Sequence, residues 1–331
     1  MTDALVQQFL RQTGATVPLI CGPMYPCSNP ELVAAVSVAG GIGVVQPISL
    51  TYVHGHEYRE GLRLIHRLAN GRPIGFNALV EKSSRVYEQR MIRWVDIALE
   101  EGVRFFITSL GNPRWVVDKV RAAGGVVYHD VINARWADKA RDAGVTGLIA
   151  VNNRAGGHLG NKDPRALLDE LLPVGLPVIG AGGVGSGAEF ASMLAMGYAA
   201  VQCGTRFIAT TECKAGDGYK RAILQARERD IVETERLTGV PVAVINTPYI
   251  QRIGTRIGPV ARLMFRGRKT KHWARTWFGI RGVMRMKRDQ LSTGSGDREY
   301  WQAGRSVETI NAELPAGDVV REFERAWRAA S

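Results

Sequence analysis

Nowhere in the 331 residues do about 18 apolar residues follow one another without a charge, so no segment has the makeup of a membrane-spanning helix. The opening MTDALVQQFLRQTG puts Asp3 and several polar residues where a secretory signal needs a basic start and an apolar run, and a cytoplasmic protein is expected. Cysteine is scarce: Cys21, Cys27, Cys203 and Cys213 contain no CxxC pair, so they read as reduced thiols, and no metal site is expected. A more local absence is acid. From 236 to 288 there is no Asp or Glu, while twelve Arg or Lys residues lie between Arg252 and Arg288, and this segment carries most of the formal net charge of +12. A solvated lid face is the plain reading of that stretch. The alternatives are sites for an NADPH 2′-phosphate, an acidic acyl carrier protein, a CoA-type tail, or an anionic membrane surface met by 253–265. Trp273, Trp277 and Phe278 interleave with the bases, but a nucleic-acid partner is not expected, because the rest of the chain already accounts for a small-molecule site.

What is present is a regular alternation. Short β-type apolar runs at 19–24, 42–46, 73–79, 105–110, 126–131, 147–152, 177–182 and 200–207 predict strands, with amphipathic stretches between them at 29–38, 56–68, 84–101, 113–123, 133–143, 164–172 and 187–196. Asn29 before Pro30 reads as a helix N-cap, and Gly102, Gly124 and Gly144 follow helices where a left-handed residue is needed. Eight βα units favour a closed α/β TIM barrel, (β/α)8, over an open sheet. After 207 the rhythm changes: 219–236 reads as helix, a Gly/Ser patch lies at 292–296, and 319–330 reads as a last helix. The expected division is a barrel over 1–215 and a smaller, mainly helical lid over 216–331, with return of the last helix to the barrel as an option.

In such a barrel the site lies at the C-terminal ends of the strands. The seventh and eighth ends, GAGGVGSG and QCGTRF, place Gly182, Gly183, Gly204 and Thr205 where backbone N–H groups and a helix N-terminus can approach a phosphate, although tight turns alone also use such glycines. His158, in AGGHLG after the sixth strand, reads as an exposed loop histidine of near-neutral pKa suited to proton transfer; a backbone-bonded loop residue is the bland alternative. Asn77 carries an amide that can read a ring edge, and Met24 a polarizable thioether that can meet an aromatic face. His129 ends the fifth strand beside Asp130 and is a weaker candidate.

Together and in order, GPM with NPELVAAVSVAGGIG, GFNAL, AGGHLG, GAGGV and GTRFIATTEC resemble the nitronate monooxygenase family, also known as 2-nitropropane dioxygenases, over 18–227. The resemblance implies an FMN-bearing barrel. Gly22, Pro23, Met24 and Asn77 match flavin-contacting positions, Asp130 is grouped with them, and Gly182, Gly183, Gly204 and Thr205 match the phosphate cradle. His158 matches the base that takes the α-proton of a nitroalkane, the flavin then passing electrons to oxygen. The same architecture includes NAD(P)H-dependent flavin reductases of enoyl-acyl-carrier-protein or quinone, and the GGH motif does not separate them; a non-catalytic binder of flavin or an acidic partner is the third reading. The chain departs from the family at Asn152, Asn153 and Arg154, where an acidic residue is usual, and at Cys21, where many relatives carry glutamine.

Overall fold

In the computed structural model, residues 2–81, 85–236, 239–258 and 300–330 are described. Most of the acid-free segment, the Gly/Ser patch and Trp273, Trp277 and Phe278 lie outside the described residues. Eight parallel strands close on themselves: β1 (Leu19–Cys21), β2 (Ile42–Val45), β3 (Gly75–Leu79), β4 (Phe105–Ser109), β5 (Val126–Val131), β6 (Gly147–Val151), β8 (Val178–Ala181) and β9 (Ala200–Cys203), with β9 pairing back to β1 at Cys21 and Cys203. Helices α2 (Pro30–Val38), α3 (Tyr58–Leu68), α4 (Arg85–Glu100), α5 (Arg114–Ala122), α6 (Ala134–Asp142), α7 (Pro164–Leu171) and α8 (Gly187–Met196) connect them, giving the TIM barrel read from the sequence. Gly102, Gly124 and Gly144 take positive φ at the helix ends, as expected.

Strand parity sorts the barrel into two cores. Ile20, Ile42, Val44, Phe105, Ile107, Tyr128, Ile149, Ile179 and Ala200 point inward and fill the lumen, while Val127, Val131, Leu148, Val178 and Val201 pack outward against the helices. The lower end is closed by α1 (Thr2–Thr13), whose Phe9 meets Phe105 and Tyr128 edge-on at 6.2 Å. With that end plugged by apolar side chains, only the C-terminal mouth is left for chemistry.

Four expectations are corrected. The run at 200–207 is not all strand: β9 stops at Cys203 and α9 (Thr205–Ile208) follows, because Gly204 breaks the ladder and opens a helical turn. The stretch 219–236 is not one helix: α10 (Asp217–Gln225) ends early, and β10 (Ile231–Thr234) follows a short 3-10 turn. β10 pairs with β11 (Val242–Ile245), which pairs with β7 (Gly157–His158), so a small antiparallel sheet lies in the region expected to be mainly helical. Asn29 precedes Pro30 but does not cap α2 through its side chain; its amide donates to Glu31 and to the Glu212 carbonyl and accepts from the Lys214 N–H, tying the start of α2 to the chain after β9.

The last helix (Ala316–Ala330) returns to the barrel. It packs on α8 and α2, Phe323 stacks on Phe190 at 5.0 Å, and Glu322 accepts the N–H of Gly187 at the start of α8. The strap before it is pinned by two buried cations: Arg206 donates to the Ala312 carbonyl, and Lys220 pairs with Glu313 at 2.7 Å.

Candidate active site

The inward series along the strands turns from apolar to polar at the C-terminal mouth. On β1 Ile20 is followed by Gly22, on β2 Val44 by Gln46, on β3 Gly75 by Asn77, on β5 Tyr128 by Asp130, and on β9 Ala200 by Gln202. Of these polar groups Gln46 is satisfied by the Ser49 N–H at 2.6 Å. Asn77 Oδ1, Asp130 Oδ1 and Gln202 Oε1 are each buried with no hydrogen-bond partner among the described residues. Three orphaned acceptors above one apolar plug are costly unless something polar rests on them, since an unpaired buried acceptor costs roughly 1–3 kcal/mol. A Cβ at Gly22 would come within 2.9 Å of the Gln202 side chain, so a larger residue there would push Gln202 aside.

The two glycine-rich ends meet next to it. Gly182 and Gly183 have φ of +114° and +83°, and Cβ atoms there would collide with Ala155 N at 2.6 Å and Arg154 Nε at 2.7 Å. The N–H groups of Gly183, Val184 and Gly204 find no backbone acceptor among the described residues, whereas Gly185 and Ser186 donate to Glu189, which forms a capping box at the start of α8. Thr205 Oγ1 accepts the Gly304 N–H at 3.0 Å, and Gly204 lies 3.6 Å, measured from the position of a Cβ, from Met24 Sδ. Gly22, Pro23 and Met24 thus stand beside the last strand end with Gly204 and Thr205, and Gly182 and Gly183 follow the neighbouring strand β8. Acceptors and N–H groups left without partners among the described residues suit a flat, hydrogen-bonding ring with an anionic tail, the form of a flavin nucleotide.

Asn152, which the motifs did not single out, binds the cradle together: it is fully buried, accepts the Arg154 N–H at 2.8 Å and donates to the Gly182 carbonyl at 3.0 Å. Gln46 and Gln202 were missed as well; strand parity read outward from Val44 and Ala200 is the signal that finds them. Gly304 was also missed, and nothing local marks it: it packs backbone to backbone against Gly156, where a Cβ would come within 2.7 Å.

His158 is not on a free loop. It forms β7 opposite Val242 of β11 and is exposed there, as expected from the sequence, while the surrounding protein still lowers its pKa below the ordinary 6.5 by desolvation. Its ring nitrogens have no hydrogen-bond partner among the described residues. Asp130 moves the other way: burial raises it to about 7, with no charged group contributing. His129 faces away from the lumen, with Nδ1 2.8 Å from Thr108 Oγ1, and burial lowers it to about 4, so it is a structural residue and not a second base. Arg154, where an acid was the usual residue, is held by Glu228 through contacts of 3.0 and 2.8 Å, and Glu228 also binds Arg305. Beside them opens a cavity of about 740 Å³ lined by Arg227, Glu228, Arg229, Ile231, Arg305 and Glu308. Among the described residues no group of three metal-ligating side chains occurs and no helix is long and apolar enough to cross a membrane.

This geometry has counterparts in known proteins. The chain is 29% identical over 241 residues to a Rhodococcus jostii protein named (3aS,4S,5R,7aS)-5-hydroxy-7a-methyl-1-oxo-octahydro-1H-indene-4-carboxyl-CoA dehydrogenase, an alignment covering 72% of this chain and 65% of that protein. A nitronate monooxygenase of Pseudomonas aeruginosa is 27% identical, with 99% of this chain and all of that protein aligned. Among solved structures, FabK from Thermotoga maritima superposes with a TM-score of 0.77 at 25% identity, covering 97% of this chain and 96% of that one. The nitronate monooxygenase family model matches residues 8–324, from the helix that plugs the barrel to the helix that returns to it, and this oxidoreductase chain belongs to the nitronate monooxygenase family.

Proposed function

We propose that this chain is an FMN-dependent oxidoreductase that takes a proton from a carbon beside an electron-withdrawing group, with nitroalkanes and their nitronates as its substrate class and His158 as the base. The observation that carries the reading is His158 itself: an exposed histidine held on β7 opposite Val242 of β11, with its pKa lowered by desolvation and no hydrogen-bond partner for its ring nitrogens among the described residues. A neutral imidazole accepts a proton without first losing one, which a base working near neutral pH requires.

Gly183, Val184, Gly204 and Thr205 would hold the FMN phosphate, and Gly22, Pro23, Met24, Asn77, Asp130 and Gln202 the ring. The bound flavin would accept electrons from the deprotonated substrate and pass them to oxygen. The chain's own work is positional. Asn152 fixes the cradle, the apolar plug keeps water from below, and His158 holds the substrate proton on a ring nitrogen. The stretch 231–245 brings β10 and β11 to His158.

One observation favours a second reading, a reductase taking hydride from NAD(P)H toward an acyl thioester, such as an enoyl-acyl-carrier-protein, or a quinone. The cavity has room for a phosphorylated nucleotide or a carrier-borne phosphate, and Arg227 and Arg229 line it together with Glu228, Glu308 and an Arg305 already paired to Glu228. Purified protein given an alkyl nitronate should consume oxygen without NAD(P)H. Rapid anaerobic reduction of the flavin by NADH or NADPH, with no oxygen uptake on nitronate, would establish the second reading and refute the first.

A further inference from the structure

The seat contains a titratable group that base catalysis by His158 does not use. Asp130 ends the inward series of β5, directly above Tyr128, at the level where the lumen passes from apolar to polar. Its Oδ1 is out of contact with water and has no donor among the described residues. Asp130 as a whole is half-buried, but a carboxylate there would hold that oxygen away from water without a partner, which proteins avoid by keeping the group protonated or by supplying a cation. No cation is supplied among the described residues. Arg154, in the loop after β6, is committed to Glu228.

We propose that Asp130 is a carboxylic acid in the resting enzyme and donates a hydrogen bond to the flavin ring, so that the site pairs a neutral acid on β5 with a neutral base on β7. The inference rests on the reading that a flavin occupies the seat. One physical cause produces both halves: desolvation disfavours the charged form, so it keeps an acid protonated and a histidine unprotonated at the same pH. Charge accumulating on the ring as it takes up electrons would then meet a donor already in place.

Other titratable groups around the seat do not share this behaviour. His129, on the opposite face of the same strand, is neutral above about 4. Cys21 on β1 and Cys203 on β9 are buried thiols whose pKa is raised, and Tyr25 after β1 is pushed to about 12, so all three are neutral through the neutral range. His158, lowered from 6.5, titrates on the acid side. Asp130 is left as the group that changes charge near about 7.

The test is a pH titration of the flavin-loaded protein, reading the absorption band of the oxidised flavin without turnover. The wild type should show a single one-proton transition near neutrality. Asp130→Asn, which keeps the shape and a donor but cannot ionise, should retain stoichiometric flavin and lose the transition, while His158→Asn should keep it. A wild-type band that ignores pH across the neutral range overturns the proposal whether or not the variant folds, as does an unchanged transition in Asp130→Asn. A protein that binds no flavin at all removes the acceptor and overturns the cofactor reading as well, a result plainly different from a flavin that binds and does not respond.

Discussion

Alanine at Gly182 separates what the cradle needs from what any positive-φ glycine needs. At φ +114° a non-glycine residue is strained by about 1–2 kcal/mol. Its Cβ would also lie 2.5 Å from Asn152 Oδ1 and 2.6 Å from Ala155 N, and backbone cannot swing aside as a long side chain can. Relief requires moving Asn152, whose two bonds to Arg154 N and the Gly182 carbonyl contribute about 1 kcal/mol each. The expected loss is therefore about 3–4 kcal/mol of stability. Displacing one N–H from the phosphate removes a charge-assisted bond of roughly 1.5–3 kcal/mol, so FMN affinity should fall about 10- to 100-fold. Gly102→Ala is the control: its φ is +90° and a Cβ there meets nothing within 4 Å, so only the strain of about 1–2 kcal/mol applies and FMN binding should not change. Urea unfolding and fluorescence titration of FMN read the two quantities. Equal losses of stability in the two variants, or unaltered FMN affinity in Gly182→Ala, would refute the reasoning.

Three further outcomes are expected. His158→Asn should leave FMN bound and cut turnover by about 10²- to 10⁴-fold; in the wild type the acid limb of kcat/KM should fall below pH 6.5, and a limb at or above that value contradicts a desolvated base. Phe323→Ala should destabilise the protein by about 3–5 kcal/mol, because the ring is fully buried and stacked on Phe190; a loss under about 1 kcal/mol in thermal or urea unfolding would mean that the last helix is not part of the barrel's cooperative unit. For Asp130 the folded pKa lies above the ordinary 3.8, so below that value both states are protonated and nothing is lost, and as pH rises toward about 7 the unfolded chain alone ionises and stability falls. The loss approaches about 4 kcal/mol in flavin-free protein, and Asp130→Asn should abolish that slope; parallel stability–pH curves for the two proteins would contradict it.

The barrel was legible because each of its strands is a short apolar run between helical stretches, a local signal, and β5 has the bounds read from the sequence. The backbone requirement at the end of β8 was legible for a similar reason: Gly182 and Gly183 take positive φ, which their identity announces. The small sheet was not. β7 is two residues long and flanked by glycines, so it looks like a loop, and the strand that orders it, β11, lies far downstream. The seat was half legible. Asn77 and Asp130 sit in recognisable strand ends, but Gln46 and Gln202 gain meaning only once parity shows them facing the lumen, and Asn152 only once its amide is seen to bridge two loops. Gly304 depends wholly on contact with a distant segment, Gly156, which no local pattern encodes.

Paired binding isotherms for FMN and riboflavin put the glycine cradle to the test most directly, since the two ligands differ only in the phosphate that the last two strand ends are said to grip. A yellow protein with one FMN per chain and far weaker binding of riboflavin is the predicted result. A colourless protein that takes up neither, or one that holds both equally well, would contradict it.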